Sequence, residues 1–269
     1  MLQGGIKMES DNNTISFLGK TDIGLQRANN EDAFVVQRLD DSAVLAVVID
    51  GVGGYEGGEV AAEIAQNEIR NYMKEFTSGE KMELLKQAVV CANNAIYERR
   101  RFDFARQNMG CVLTAIVVDS ACEVVYMAHV GDTRLYQYRY GELCKLSHDH
   151  SLVGQLEDSG ELTEEQAMKH PRRNVISRVI GSEYHTVDDS DFIEANQFRL
   201  LPNSIFMLCS DGLTDLITSH QIASILERDL TLDEKVQTLV NSANEAGGKD
   251  NTTVVLVQYN TKVTSKNSL

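Results

Sequence analysis

A chain of 269 residues with a formal net charge of −15, 42% hydrophobic and 24% charged, has the composition of a globular protein with ample material for a core. The acidic excess excludes non-specific nucleic-acid binding, which needs clustered Lys and Arg. No apolar run approaches the roughly 18 residues that span a bilayer.

Residues 1–13 are polar with no hydrophobic signal core, and 261–269 are polar too; both ends are expected to be flexible. Between them only Pro171 and Pro202 occur and no low-complexity stretch divides the chain, so 14–260 reads as a single catalytic-size domain. Strands are predicted at 14–20, 33–39 and 43–49, with Asp40-Asp41 as a hairpin turn. Helical periodicity follows at 57–76 and 81–101, each with one apolar face, so the two helices should lie side by side on a sheet. Strands return at 112–119, 124–130, 134–139 and 142–145, and successive hairpins imply antiparallel pairing. Residues 148–185 are polar and poorly periodic, with short helical patterns at 151–157 and 163–167, as in a long surface insertion of the kind that forms functional lids. Strands at 192–199, 205–210 and 253–259 and helices at 220–227 and 232–246 complete an order that puts sheets in the middle and helices outside.

The chemistry is concentrated where strand-like runs stop. Asp50 ends an apolar run and opens Asp50-Gly51-Val52-Gly53-Gly54, Asp211 precedes Gly212 after another run, Asp250-Asn251 precedes Thr252-Thr253, and Glu31-Asp32 precedes Ala33. Carboxylates gathered at one edge of a sheet make an oxygen-rich pocket for hard divalent cations and point to metal-assisted hydrolysis. Glycine beside Asp50 lets a backbone carbonyl approach a cation without Cβ interference. Arg27, in the polar stretch before Glu31, offers a planar bidentate match to phosphate oxygens, although that stretch taken alone reads equally well as a surface loop. Asp132 is either a further ligand or a turn cap paired with Arg134. The histidines show no metal-ligand spacing and read as structural or solvated. Five cysteines with no Cys-x-x-Cys pair fit a reducing cytoplasm. None is followed six positions later by Arg, which excludes a thiol-phosphatase loop.

Taken together, these residues resemble the metal-dependent serine/threonine protein phosphatases of the 2C type, the PPM family, in their compact bacterial form. The motifs run in order from about Ile15 to Tyr259: Thr21-Asp22-x-Gly24-x-x-Arg27-x-x-Asn30-Glu31-Asp32, Asp50-Gly51-x-Gly53-Gly54, Met109-Gly110, His129-Val130-Gly131-Asp132-Thr133-Arg134, Leu146-Ser147-x-Asp149-His150-Ser151, His170-Pro171-Arg172-Arg173-Asn174, Ser210-Asp211-Gly212-Leu213 and Asp250-Asn251-Thr252-Thr253. The resemblance implies an α+β fold, a four-layer α-β-β-α sandwich with two central, mainly antiparallel sheets, and a flap at about 147–184. It also implies two Mn²⁺ or Mg²⁺ ions. Asp50 would bridge them, Asp211 and Asp250 would hold the first, and Glu31 and the Gly51 carbonyl the second. Asp132 with Asp211 would hold a third, weaker ion. Asp32 would orient the attacking water and Arg27 would bind the substrate phosphate.

The substrates implied are phosphorylated proteins, with a serine/threonine kinase as the opposing partner and a monomer as the default state. Two departures stand out. Val52 replaces a His that many eukaryotic members use to protonate the leaving group, so that acid must be a water of the metal centre or another group. Cys111-Val112 replaces the usual Thr-Thr. A catalytically dead binding module, or a phosphatase for a small phosphoester or a sporulation-type regulator, are the competing readings. The first would be marked by loss of a metal carboxylate, and none is lost.

Overall fold

The computed structural model describes residues 13–53, 57–76, 78–103 and 107–261. Ten strands form two five-stranded sheets in which every paired neighbour is antiparallel. The first sheet has the order β2 (Asp32–Arg38), β3 (Ala43–Val52), β4 (Gly110–Asp119), β5 (Val124–Val130) and β8 (Glu194–Arg199). The second has the order β1 (Asn13–Asp22), β10 (Thr252–Thr261), β9 (Ser204–Cys209), β6 (Arg134–Arg139) and β7 (Glu142–Lys145).

The apolar runs of β3 and β10 are continuous rather than alternating because both faces of each sheet are covered. Successive side chains of a strand point to opposite faces. In β3, Leu45, Val47 and Ile49 join α1 (Gly57–Glu75) and α2 (Lys81–Phe102), whereas Val44, Ala46 and Val48 pack toward the other sheet. In β10, Val255, Val257 and Tyr259 meet them there, and Val254 and Leu256 face α6 (Ser219–Glu227) and α7 (Leu232–Glu245). Three apolar layers thus separate four layers of secondary structure, the sandwich expected. A fully buried Leu45 contributes about 1.5–3 kcal/mol by area. The starts of α6 and α7 are fixed by capping boxes, Thr218 with Gln221 and Thr231 with Glu234.

The structure refines the sequence reading in three places. The strand holding Asp50 runs on to Val52, so Asp50 and Gly51 pair with Val112 and Cys111 instead of lying beyond the sheet. A four-residue helix, α5 (Asp211–Thr214), begins at Asp211, where the sequence shows only the end of a strand-like run. Asn13 and Thr261, assigned to the loose ends, pair with each other in β1 and β10; the rest of both ends, and Gly54 of the glycine motif, lie outside the described residues.

The insertion after β7 carries α3 (Leu152–Asp158) and α4 (Glu164–Met168). It is tied down at both ends. Near its start Asp149 pairs with Arg134 at 2.7 Å and Lys145 at 2.8 Å. Near its end Ile180 bridges to Cys111, and Asn93 of α2, fully buried, accepts from Gly181 N–H at 2.7 Å and donates to Glu183 O at 2.8 Å.

Candidate metal centre

One end of the sandwich collects the candidate residues because the strand directions bring the same kind of connection there repeatedly. The β1–β2 connection carries Arg27 and Glu31, and Asp32 opens β2 opposite Asp50, near the end of β3. Asp132 lies in the turn where the chain crosses from β5 in one sheet to β6 in the other. Asp211 follows β9 and Asp250 precedes β10 in the second sheet. Two carboxylates directly opposite on antiparallel strands, as Asp32 and Asp50 are, repel each other unless something positive lies between them.

Neutral groups hold this arrangement. Asn251 Oδ1 accepts from Glu31 N–H at 2.8 Å while its Nδ2 donates to Ile23 O at 2.9 Å and Asn29 O at 3.0 Å. Asp32 Oδ2 accepts from the hydroxyls of Ser210 and Thr253, both at 2.7 Å. Gly51 N–H donates to Glu31 O at 3.1 Å, which joins the ends of β2 and β3. A Cβ on Gly51 would lie 2.2 Å from the Gly58 carbonyl oxygen, and one on Gly58 would lie 2.9 Å from the Glu31 carboxyl carbon. Only glycine at both positions lets α1 start this close to the site.

The electrostatics are those of an anionic cage. Burial, reinforced by the facing carboxylates, pushes Asp50 and Asp211 well above the ordinary carboxylate range. Burial pushes Asp132 up to about 7, with Asp149 adding to it, and Asp32 up to about 6 against its two hydroxyl donors. Glu31 is raised as well, by burial and by Asp250. The cation that reaches the cluster from the β1–β2 side is Arg27, half exposed, whose Nη2 donates to Asp250 Oδ2 at 2.5 Å. A set of oxygen donors with unsatisfied negative charge and no sulfur or imidazole among them fits hard divalent ions.

This cluster sets an expected pH dependence. In metal-free protein the folded state retains protons on Asp132, Asp50 and Asp211 that the unfolded chain sheds near pH 4. Their contribution to stability therefore falls as pH rises above about 4, and for Asp132 the fall levels off only once pH has passed about 7. His129 and His150, held neutral below the ordinary imidazole range, oppose this only below about pH 6.5, where unfolded imidazoles take up protons. Divalent cations replace those protons, so the difference in Tm between manganese-loaded and chelator-treated protein should widen from pH 6.5 to 8. A difference that stays flat or narrows contradicts the assignment.

Each expected ligand carboxylate sits at this end. Asp132 is not spent on Arg134, whose guanidinium turns instead to Asp149 and Glu157. With Asp211, Asp132 lines a cavity of about 30 Å³, bounded by Arg173 and Met168 of the insertion. Val52, in place of an acid, faces Gly110 beside Val179 of the insertion. Burial raises the Cys111 thiol far above its usual range and leaves it inert.

One residue escaped the sequence reading. Asp215 lies four positions after Asp211, lines the same cavity, and accepts from Arg173 Nε at 2.6 Å. Burial raises its carboxyl despite that partner. The Asp-x-x-x-Asp spacing across one helical turn was the available signal.

Among the described residues, three ligand-type atoms come within 4.8 Å of one another in a different group, His129, His150 and Glu194; the sheet-edge carboxylates are spread more widely. That group is nevertheless structural. His129 Nε2 faces the carbonyls of Gly131 at 3.0 Å and His148 at 3.1 Å, so it carries the proton, and Nδ1 accepts from the Thr114 hydroxyl at 2.9 Å. His150 Nδ1 accepts from Gly131 N–H at 3.0 Å. Both rings brace the turn that presents Asp132.

The sequence profile of the Protein phosphatase 2C family matches residues 25–253. The chain is 35% identical over 245 residues to the serine/threonine phosphatase stp of Listeria welshimeri, covering 90% of this chain and 94% of the relative. The structure of the S. agalactiae serine/threonine phosphatase superposes with a TM-score of 0.80 at 32% identity, over 91% of this chain and 99% of that one. The catalytic domain of the phosphatase PstP in complex with two manganese ions superposes with a TM-score of 0.79 at 28% identity, over 92% and 99% of the two chains.

Proposed function

This chain belongs to the protein phosphatase 2C family, and we infer that its sheet-edge carboxylates form a binuclear Mn²⁺ or Mg²⁺ centre for direct hydrolysis of phosphoserine and phosphothreonine. The protein is a metal-dependent hydrolase acting on phosphoproteins. The observation that carries the assignment of the site is the convergence of Glu31, Asp50, Asp211 and Asp250 at one end of the sandwich, with two carboxyls raised well above their ordinary range by burial and by one another.

Four carboxylates balance the charge of two divalent ions. Asp50, in the field of Asp32, Asp211, Asp132 and Asp250, would serve both ions, Asp211 and Asp250 would hold the first, and Glu31 with the Gly51 carbonyl the second. Asp132 and Asp211 are assigned to a third, weaker ion at the cavity they share. Bound ions would supply Lewis-acid charge to lower the pKa of a water beside the substrate phosphate. Asp32 orients that water. Its Oδ2 is occupied by two hydroxyls, which fixes the rotamer and leaves Oδ1 to accept. Arg27 leaves Asp250 for the non-bridging phosphate oxygens, a bidentate match. Val52 donates no proton, so the leaving alkoxide would take one from a water of the metal centre or from another group.

Residues 14–260 form one catalytic domain acting as a monomer in the cytoplasm against a serine/threonine kinase. Among the described residues no helix is long and apolar enough to cross a membrane. The direct test compares peptides of one sequence carrying phosphothreonine, phosphoserine or phosphotyrosine, with manganese present. The first two should release phosphate, and the phosphotyrosine peptide should react at least about tenfold more slowly in kcat/KM. Equal or faster turnover of phosphotyrosine would sink the substrate class.

A further inference from the structure

We propose that a groove beside the metal centre is a subsite for an acidic residue flanking the phosphorylated side chain, so that the enzyme favours acidic phosphopeptides; this rests on the phosphatase reading above. The groove has a volume of about 390 Å³. Met168, Leu216 and Ala246 give it apolar lining, and exposed Lys169 and Lys249 stand on its two sides.

Three observations carry the assignment. First, the groove is continuous with the metal centre. Asp215 and Met168 line both it and the cavity of Asp132 and Asp211, and Lys249 immediately precedes Asp250. A peptide whose phosphate reaches the carboxylate cluster can lay a neighbouring residue in this groove. Second, its walls are fixed. Glu164 of α4 accepts from Ser219 N–H at 2.6 Å and from its hydroxyl at 2.9 Å, which ties the insertion to the start of α6. The Arg173–Asp215 pair at 2.6 Å ties it again at the other side. Third, the charge is locally reversed. The chain carries −15 overall, yet Met168 to Arg178 contains Lys169, Arg172, Arg173 and Arg178 and no Asp or Glu.

Lys169 and Lys249 make no ion pair with any other described residue. Of the two acids on the groove, Asp215 is already neutralised by Arg173, so only Glu165 opposes two free ammonium groups. An acidic protein surface repels acidic ligands and a basic patch attracts them, and a patch of this kind steers and orients rather than anchors.

The test uses phosphothreonine peptides that differ by a single Asp or Ala, scanned through the positions on both sides of the phosphoresidue, with the manganese-loaded full chain at low ionic strength. The readout is the ratio of kcat/KM for the acidic peptide to that for the alanine peptide. At the best position the wild-type ratio should be about three- to tenfold, the sum expected of two exposed charge pairs, and should shrink as salt is raised. In the Lys169→Glu/Lys249→Glu double variant it should fall to about one or below. Because each variant is its own reference through the alanine peptide, a general loss of activity does not move the ratio. A wild-type ratio of one at every position overturns the subsite, and is the result expected if a second copy of the chain or a free anion occupies the groove. A preference that survives in the double variant overturns it as well. Failure of the wild type to hydrolyse any phosphothreonine peptide would instead remove the phosphatase reading, and this inference with it.

Discussion

Asp211→Asn should lower kcat/KM for a phosphothreonine peptide by at least about a thousandfold, about 4 kcal/mol of transition-state stabilisation, with no rescue by saturating manganese. The substitution keeps the shape of the side chain at the start of α5 and removes its charge. Asp211 is assigned to the first ion and to the shared cavity with Asp132, so the neutral amide weakens both. The same change should stabilise the metal-free protein. Asp211 is among the groups that raise Asp50, and above neutral pH removing one of several repelling carboxylates relieves the cluster by about 1–2 kcal/mol. Opposite movements of activity and metal-free stability separate a ligand from a residue that merely supports the fold. Wild-type turnover at saturating manganese would show the ligand role to be wrong.

Arg134→Ala should cost about 3–5 kcal/mol of folding stability, the usual penalty for removing one member of a buried ionic network. The Arg134 side chain is 12% exposed, and its guanidinium reaches Asp149, 4% exposed, at 2.7 Å and Glu157, 15% exposed, at 2.5 Å. Without Arg134, Asp149 keeps Lys145 at 2.8 Å, but Glu157 loses its ion pair. The damage is local to the root of the insertion, because Asp149 and Glu157 lie before and within α3. Asp149 is held below the ordinary carboxylate range by Arg134 and Lys145 against its burial. Its contribution is therefore present above about pH 4 and lost as pH falls through its folded value. Urea denaturation at pH 7 is the direct measurement; a loss under about 1 kcal/mol would place the network's worth elsewhere.

What the sequence made legible follows from the range of the forces involved. The apolar run before Asp50 and the helical faces of Ala61, Ala65 and Ile69 are local patterns, and burial on both sides of β3 accounts for the unbroken run. The sandwich of two sheets came from the motif resemblance, since hairpin order alone does not say which strands share a sheet; β6 and β9 pair although β7 and the whole insertion separate them in sequence. Helix α5 is not legible in the sequence because four residues give no period to read.

Contacts between distant segments were equally hidden. Nothing in the run Ala92-Asn93-Asn94 announces that both amides staple residues 181–185, and Asn93 sits on what reads as an ordinary helix face. Asn251 could be noticed as a motif member, but its three bonds to the β1–β2 connection need the fold to be seen. The candidate site was more legible than its supports. Each carboxylate lies within two residues of a strand boundary, whereas the groove lysines gain their meaning only from what lies beside them in space.

The most direct test is phosphate release from a phosphothreonine peptide by chelator-treated protein, with and without added Mn²⁺, alongside Asp50→Ala. No turnover is expected without metal, restoration by manganese is expected in the wild type, and no restoration in the variant, with the variant shown to be folded. Turnover that persists after chelation, or that manganese restores equally in Asp50→Ala, would contradict a metal centre built on these carboxylates.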